Sequence, residues 1–167
     1  MKTVLVPTDF NPESTKIIDA LVVNLKNEPL KIIFLHAFKL SDSITDMLML
    51  SRRNRDYENV SDEFYTQLRQ YKEKYADHSF RIEYFYGSTA VAFRNFTEAL
   101  EVDCIAYPRH YDFKKINKYS IDPKFLTERT DCEVISLDTY AIPEQTYGRE
   151  TLMDSKIHEP QLQTSPV

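Results

Sequence analysis

The side chains able to carry chemistry in this 167-residue chain are few. Thr8 and Asp9 close a short apolar run near the amino terminus, and Ser14 and Thr15 follow; His36 closes a second run. Arg109, His110, Lys114, Lys115 and Lys118 gather late in the chain, with Asp112 the acid among them. That cationic cluster has the chemistry to hold a phosphate or carboxylate through charge-assisted hydrogen bonds. The competing reading is a solvated basic loop. Asp9 and His110 are the pair with acid–base potential, yet no nucleophile elbow and no metal-ligand spacing accompanies them. Ser14 and Thr15 have no visible activating partner, and His36 reads as a structural histidine with satisfied ring nitrogens. Cys104 and Cys132 lie far apart with no CxxC pattern, which suits reduced packing residues better than a disulfide or a metal knuckle. The expectation is a protein that is not an enzyme.

Glycine narrows the choice further. Gly87 and Gly148 are the only two in the chain, so neither a P-loop nor a dinucleotide-binding fingerprint can form, and no cofactor is expected. A net charge of −5 gives no overall footprint for nucleic acid or an anionic membrane. No apolar run approaches the length that spans a bilayer, and the amino terminus lacks a secretory h-region. These features point to a soluble, cytoplasmic protein. The length suits one domain, expected over 1–138. From 139 to 167 the pattern dissolves among prolines and scattered polar residues, predicting a tail that is flexible or packed on a partner subunit.

The elements that must position these groups are legible in the periodicity. Lys2–Phe10 (KTVLVPTDF) and Lys31–Ala37 (KIIFLHA) are apolar on both faces, the pattern of buried parallel strands. Between them Asn11, Pro12 and Glu13 open a helix running to about Lys26, with Ile17, Leu21, Val22 and Leu25 as its buried stripe. The long connection after Phe38 includes Met47–Leu50, read as a core turn or as an exposed patch, followed by Arg52, Arg53 and Arg55. A helix capped by Ser61 comes next and buries Phe64, Leu68, Tyr71 and Tyr75. Phe80–Tyr86 alternates, as a half-exposed edge strand does. Ser88 is the expected cap of the following helix, whose stripe is Ala92, Phe93, Phe96 and Leu100. Asp103–Tyr107 is a fourth strand. Asp122-Pro123 starts a short helix through Arg129, and Glu133–Leu137 is a fifth strand.

Strands alternating with helices imply a parallel sheet with right-handed crossovers. Internal first and second strands with an edge third strand select the order 3-2-1-4-5 in an open Rossmann-like α/β fold. Its crossover direction reverses between strands one and four, and open α/β sheets bind ligands outside the strand ends at that reversal. The residues delivered there are Thr8, Asp9 and Phe10 from one side and Pro108, Arg109 and His110 from the other.

VPTDF at the first strand end, LHA at the second and DCEVISL near residue 137, in this order and spacing, resemble the universal stress protein family over about residues 1–137. The resemblance implies an ATP site built from an aspartate, matched by Asp9, and strand-two backbone, matched by Ala37. Its third part is a Gly-x2-Gly-x9-Gly-Ser/Thr loop after strand four. That loop is not matched. Its first glycines fall on Pro108 and Tyr111, and its last glycine and hydroxyl fall near Ser120 and Ile121. Such a loop cradles phosphate with N–H groups in conformations that glycine permits and other residues resist, and Pro108 has no N–H to offer. The expectation is a degenerate member that does not bind ATP in the family manner. The crevice residues are then Asp9, Ala37, Arg109 and His110, with an alternative role in sensing a small anion or nucleotide through side-chain cations. The resemblance also implies a homodimer through strand five, whose Val134, Ile135 and Leu137 offer an apolar edge. A regulatory stress-response role through a further, unidentified protein partner follows from it.

Overall fold

The computed structural model describes residues 1–26, 28–40 and 60–139. Its sheet contains β1 (Lys2–Pro7), β2 (Leu30–Phe38), β3 (Ser79–Tyr86), β4 (Cys104–Pro108), β5 (Ser120–Ile121) and β6 (Glu133–Leu137). The main path runs β3-β2-β1-β4-β6, all parallel, which is the expected order with β6 as the anticipated fifth strand. The helices are α1 (Ile17–Asn24), α2 (Asp62–Lys74), α3 (Ala90–Ala99) and the short α4 (Lys124–Thr127).

Strand pleating sorts the side chains into a core on each face. Val4, Val6, Ile32, Phe34, Cys104 and Ala106 pack under α1 and α2 with Ile17, Leu21 and Phe64. Leu5, Ile33, Leu35, Ala37, Ile105 and Tyr107 pack with Phe93 of α3 and Leu126 of α4. The inner strands are apolar on both faces because both faces are covered. β3 alternates because it ends the sheet.

Several local expectations need correction. The first helix opens as a 3-10 turn over Pro12–Lys16, and its α-helical part ends at Asn24 rather than near Lys26. Asn11 is the cap, its side chain accepting the Glu13 N–H at 3.1 Å. Thr89, not Ser88, caps α3 by accepting the Ala92 N–H at 3.2 Å. Ala92 is exposed and Thr97 takes the buried place, because the inward face centres on Phe93, and Thr97, four residues on, lies on that face while Ala92 lies on its flank. The last helix stops at Thr127 instead of Arg129. On β6, Leu137 and Ile135 turn toward the α1 face, and Leu137 is buried within this chain's own core. Val134 points the other way and is 49% exposed. Leu137 is therefore unavailable as an edge contact through its side chain. The Met47–Leu50 cluster, the arginines at 52, 53 and 55, and the segment beyond 139 lie outside the described residues. Among the described residues no helix is long and apolar enough to cross a membrane.

Candidate functional site

The crossover reversal lies between β1 and β4, and the chain's own residues stand above it. β1 ends at Pro7, where the Thr8 N–H is still held by the Leu35 carbonyl at 2.8 Å. The next turn is tightly organised. Thr8 Oγ1 accepts the Phe10 N–H at 2.9 Å and lies 2.9 Å from Ser14 Oγ. Phe10 adopts a left-handed backbone with φ of 61° and is 3% exposed. That conformation is strained for an aromatic residue. It drops the ring into the crevice, where it meets His36, Phe64 and Tyr84 at centroid separations of 5.6, 5.4 and 5.7 Å.

Asp9 is engaged by the chain itself. One carboxylate oxygen accepts the Asn11 N–H and the other the Lys114 N–H, each at 3.0 Å. The carboxylate thus ties the β1 turn to the loop that follows β4. That loop folds back over the strand ends and forms β5, which sequence reasoning missed. β5 pairs antiparallel with the end of β2, setting Ile121 against Ala37 and Ser120 against Phe38. The Lys39 N–H donates to the Tyr119 carbonyl at 2.7 Å and extends the clamp.

His36 sits beneath this lid, fully buried. Nδ1 lies 2.8 Å from the Thr8 carbonyl, which can only accept, so the proton is on Nδ1. Nε2 then accepts from the Ser120 hydroxyl at 2.9 Å. Ser120 Oγ in turn receives the N–H groups of Ile116 and Asn117 at 3.0 and 3.2 Å. Burial pushes the His36 pKa down, against the Thr8 hydrogen bond and the Asp9 charge, which both favour the protonated ring. Phe113 stacks on the imidazole, with centroids 5.5 Å apart and planes 18° from parallel. Behind it Tyr107 and Tyr111 meet edge to face at 4.9 Å. Tyr111 donates to Asp122 at 2.9 Å, and Tyr107 is hydrogen-bonded to Thr127. Burial, with Asp122 adding to it for Tyr111, raises both phenol pKa values. A histidine with both ring nitrogens committed positions a loop; it has no free lone pair with which to move a substrate proton.

The structure therefore unites Asp9 and Ala37 with residues 113–121 of the loop after β4. Arg109 turns toward β6. Its N–H donates to the Leu137 carbonyl at 2.7 Å, and its exposed guanidinium lies 3.5 Å from Asp138. His110 is exposed. The overlooked contributors are Phe113 and Ser120. The one sequence signal for Ser120 was its place at the end of the expected glycine loop. Cys104 and Cys132 are free thiols. Among the described residues no three His, Cys, Asp or Glu side chains are grouped to hold a metal.

No family model matches this chain, and no curated protein matches it in sequence. Solved structures do resemble it. The hypothetical protein PH0823 is 16% identical, with 86% of this chain covering 99% of that one at a TM-score of 0.50. The universal stress protein UspA from Lactobacillus plantarum is 14% identical, with 81% of this chain covering 97% of that one at 0.48. A universal stress protein family protein from Arabidopsis thaliana, solved with AMP bound, is 12% identical, covering 89% and 99% at 0.45. At such identities the likeness speaks to architecture. The likeness to PH0823, with the strand order, the buried inner strands and the helices on both faces, gives this chain an open, Rossmann-like parallel α/β fold.

Proposed function

We propose that this protein is a divergent universal stress protein that acts as a homodimeric regulatory partner of other proteins, without catalysis and without ATP bound in the family manner. The observation that supports this reading is the self-filled crevice. Asp9 is bonded to the Lys114 backbone, β5 lies against Ala37, and Phe113 covers His36. A triphosphate would have to displace all three contacts and would still lack a glycine cradle. The same geometry argues against the anion-sensor alternative. An anion in the crevice would face the Asp9 carboxylate, while Arg109 is turned to Asp138.

Titration calorimetry of the full chain with ATP and with AMP is expected to give no binding heat at ligand concentrations up to about 1 mM, an affinity limit of only about 4 kcal/mol. A micromolar isotherm with either nucleotide overturns the reading. Nucleotide turnover lost in Asp9→Asn would overturn its non-catalytic part.

Dimerisation is proposed through β6, whose outer edge has no strand beside it among the described residues and which exposes Val134. Light scattering at micromolar concentration is expected to give twice the 19.7 kDa chain mass. Val134→Asp is expected to lower this to the monomer mass by placing a desolvated carboxylate in the seam. A wild-type monomer at that concentration removes the dimer from the proposal.

A further inference from the structure

The opposite edge of the sheet carries a groove of about 940 Å³ between α2 and β3. It is separate from both the crevice and the β6 edge. Its apolar walls are Leu68 of α2 and Phe80 and Ile82 of β3, all only half-buried. Its charge is lopsided. Arg69, Lys72 and Arg81 line it, against the single acid Asp62, in a chain whose net charge is −5. These cations retain donors to offer. Arg69 spends one N–H on Thr66, and Lys72 spends two on the Ala76 and His78 carbonyls. Arg81 is itself exposed and is held 2.5 Å from the half-buried Glu83, a partner that an incoming carboxylate can replace. Alongside runs β3, eight residues long and ending the sheet, so every second residue turns its backbone N–H and C=O to a side where no strand stands among the described residues.

From this juxtaposition we infer that the α2/β3 groove docks an extended acidic peptide of a partner protein, added to β3 as a further strand. Its backbone would pair with the β3 edge. Alternate apolar side chains would lie on the α2 face over Leu68, Phe80 and Ile82. The carboxylates between them would turn to the opposite face, where Arg81 alternates with Phe80 and Ile82, and Arg69 and Lys72 would add attraction from the α2 rim. This is strand addition, in which main-chain hydrogen bonds supply affinity and alternate side chains supply selectivity. A second copy of this chain suits the groove less well, because a two-fold contact sets the surface against itself and opposes like charges. The inference does not depend on how the crevice or β6 is used.

The test uses the full chain and two fluorescent eight-residue peptides, one alternating glutamate with valine and one alternating lysine with valine, read by polarisation. The glutamate peptide is expected to bind at least tenfold more tightly. The double variant Arg69→Glu/Arg81→Gln, changed only at exposed positions, should lose at least tenfold of that affinity while keeping its circular dichroism. N-methylation of alternate peptide nitrogens should abolish binding in one phase and spare it in the other. Equal binding of both peptides, binding indifferent to the double variant, or indifference to methylation in both phases overturns the proposal. So does a concentration-dependent dimer that the double variant abolishes, which would make the occupant a second copy.

Discussion

Phe10→Ala is expected to destabilise the protein by about 3–5 kcal/mol, read as a fall in the urea midpoint at unchanged slope. The ring is buried and touches His36, Phe64 and Tyr84, so truncation leaves a void at the base of the crevice that the rigid sheet cannot close. A loss of that size is a large share of the roughly 5–15 kcal/mol that holds a domain of this kind together. The backbone makes a second, less ordinary prediction. At φ of 61° an alanine keeps the left-handed strain and loses the ring, whereas a glycine sheds the strain as well. Phe10→Gly should therefore be about 1 kcal/mol more stable than Phe10→Ala, the reverse of the usual order. If the glycine variant is the weaker of the two, the left-handed turn is not what aims this ring. Because Phe10 follows Asp9 directly, the pair of variants also reports how firmly the crevice is sealed from within.

Acid is expected to weaken the fold well above the range in which carboxylates titrate. His36 and His78 are both buried, and burial is the leading cause that lowers each pKa from the ordinary 6.5. His78 accepts the Leu30 N–H on Nδ1 at 2.8 Å, a bond that a proton on that nitrogen would break. The sign follows from linkage. Above about pH 6.5 both rings are neutral whether the chain is folded or not, and stability is fully present. Below it the unfolded chain takes up protons that the folded chain refuses, so stability is lost as pH falls toward the depressed folded values. The limiting slope is about 1.4 kcal/mol per pH unit for each histidine. Asp19 acts in a different window. Its burial raises the carboxyl pKa, but the hydrogen bonds from Lys74, Tyr75 and Tyr71 outweigh this and leave it below 3.8. Its contribution is present above that value and is lost only in stronger acid. Urea melts at pH 7.5, 6.5 and 5.5 should show the midpoint falling, with the drop reduced in His36→Gln and again in His78→Gln. A stability that is flat over this range, or unchanged in its slope by both substitutions, contradicts the account.

Much of the architecture was legible because it rests on local, periodic signals. Val4, Leu5 and Val6 declare a strand covered on both faces, Arg81 and Glu83 declare an edge, and the caps Asn11 and Ser61 stand where the helices begin. The strand order followed from burial alone. Errors arose where adjacent or flanking residues can fill the same role, as with Thr89 for Ser88 at the cap and Thr97 for Ala92 beside the stripe. They also arose where an element is too short to have a period: β5 comprises Ser120 and Ile121, and two residues carry no alternation to read.

The order of amino acids was enough to establish a parallel α/β sheet, the position of its crossover reversal, and the absence of glycine from the loop there, since each depends on residue type and spacing along the chain. Tertiary structure alone decided what occupies that reversal. Ser120 reaches His36 across 84 positions and the Lys114 N–H reaches Asp9 across 105, contacts made by hydrogen-bond groups that every polar loop possesses and that acquire partners only when the fold brings them together.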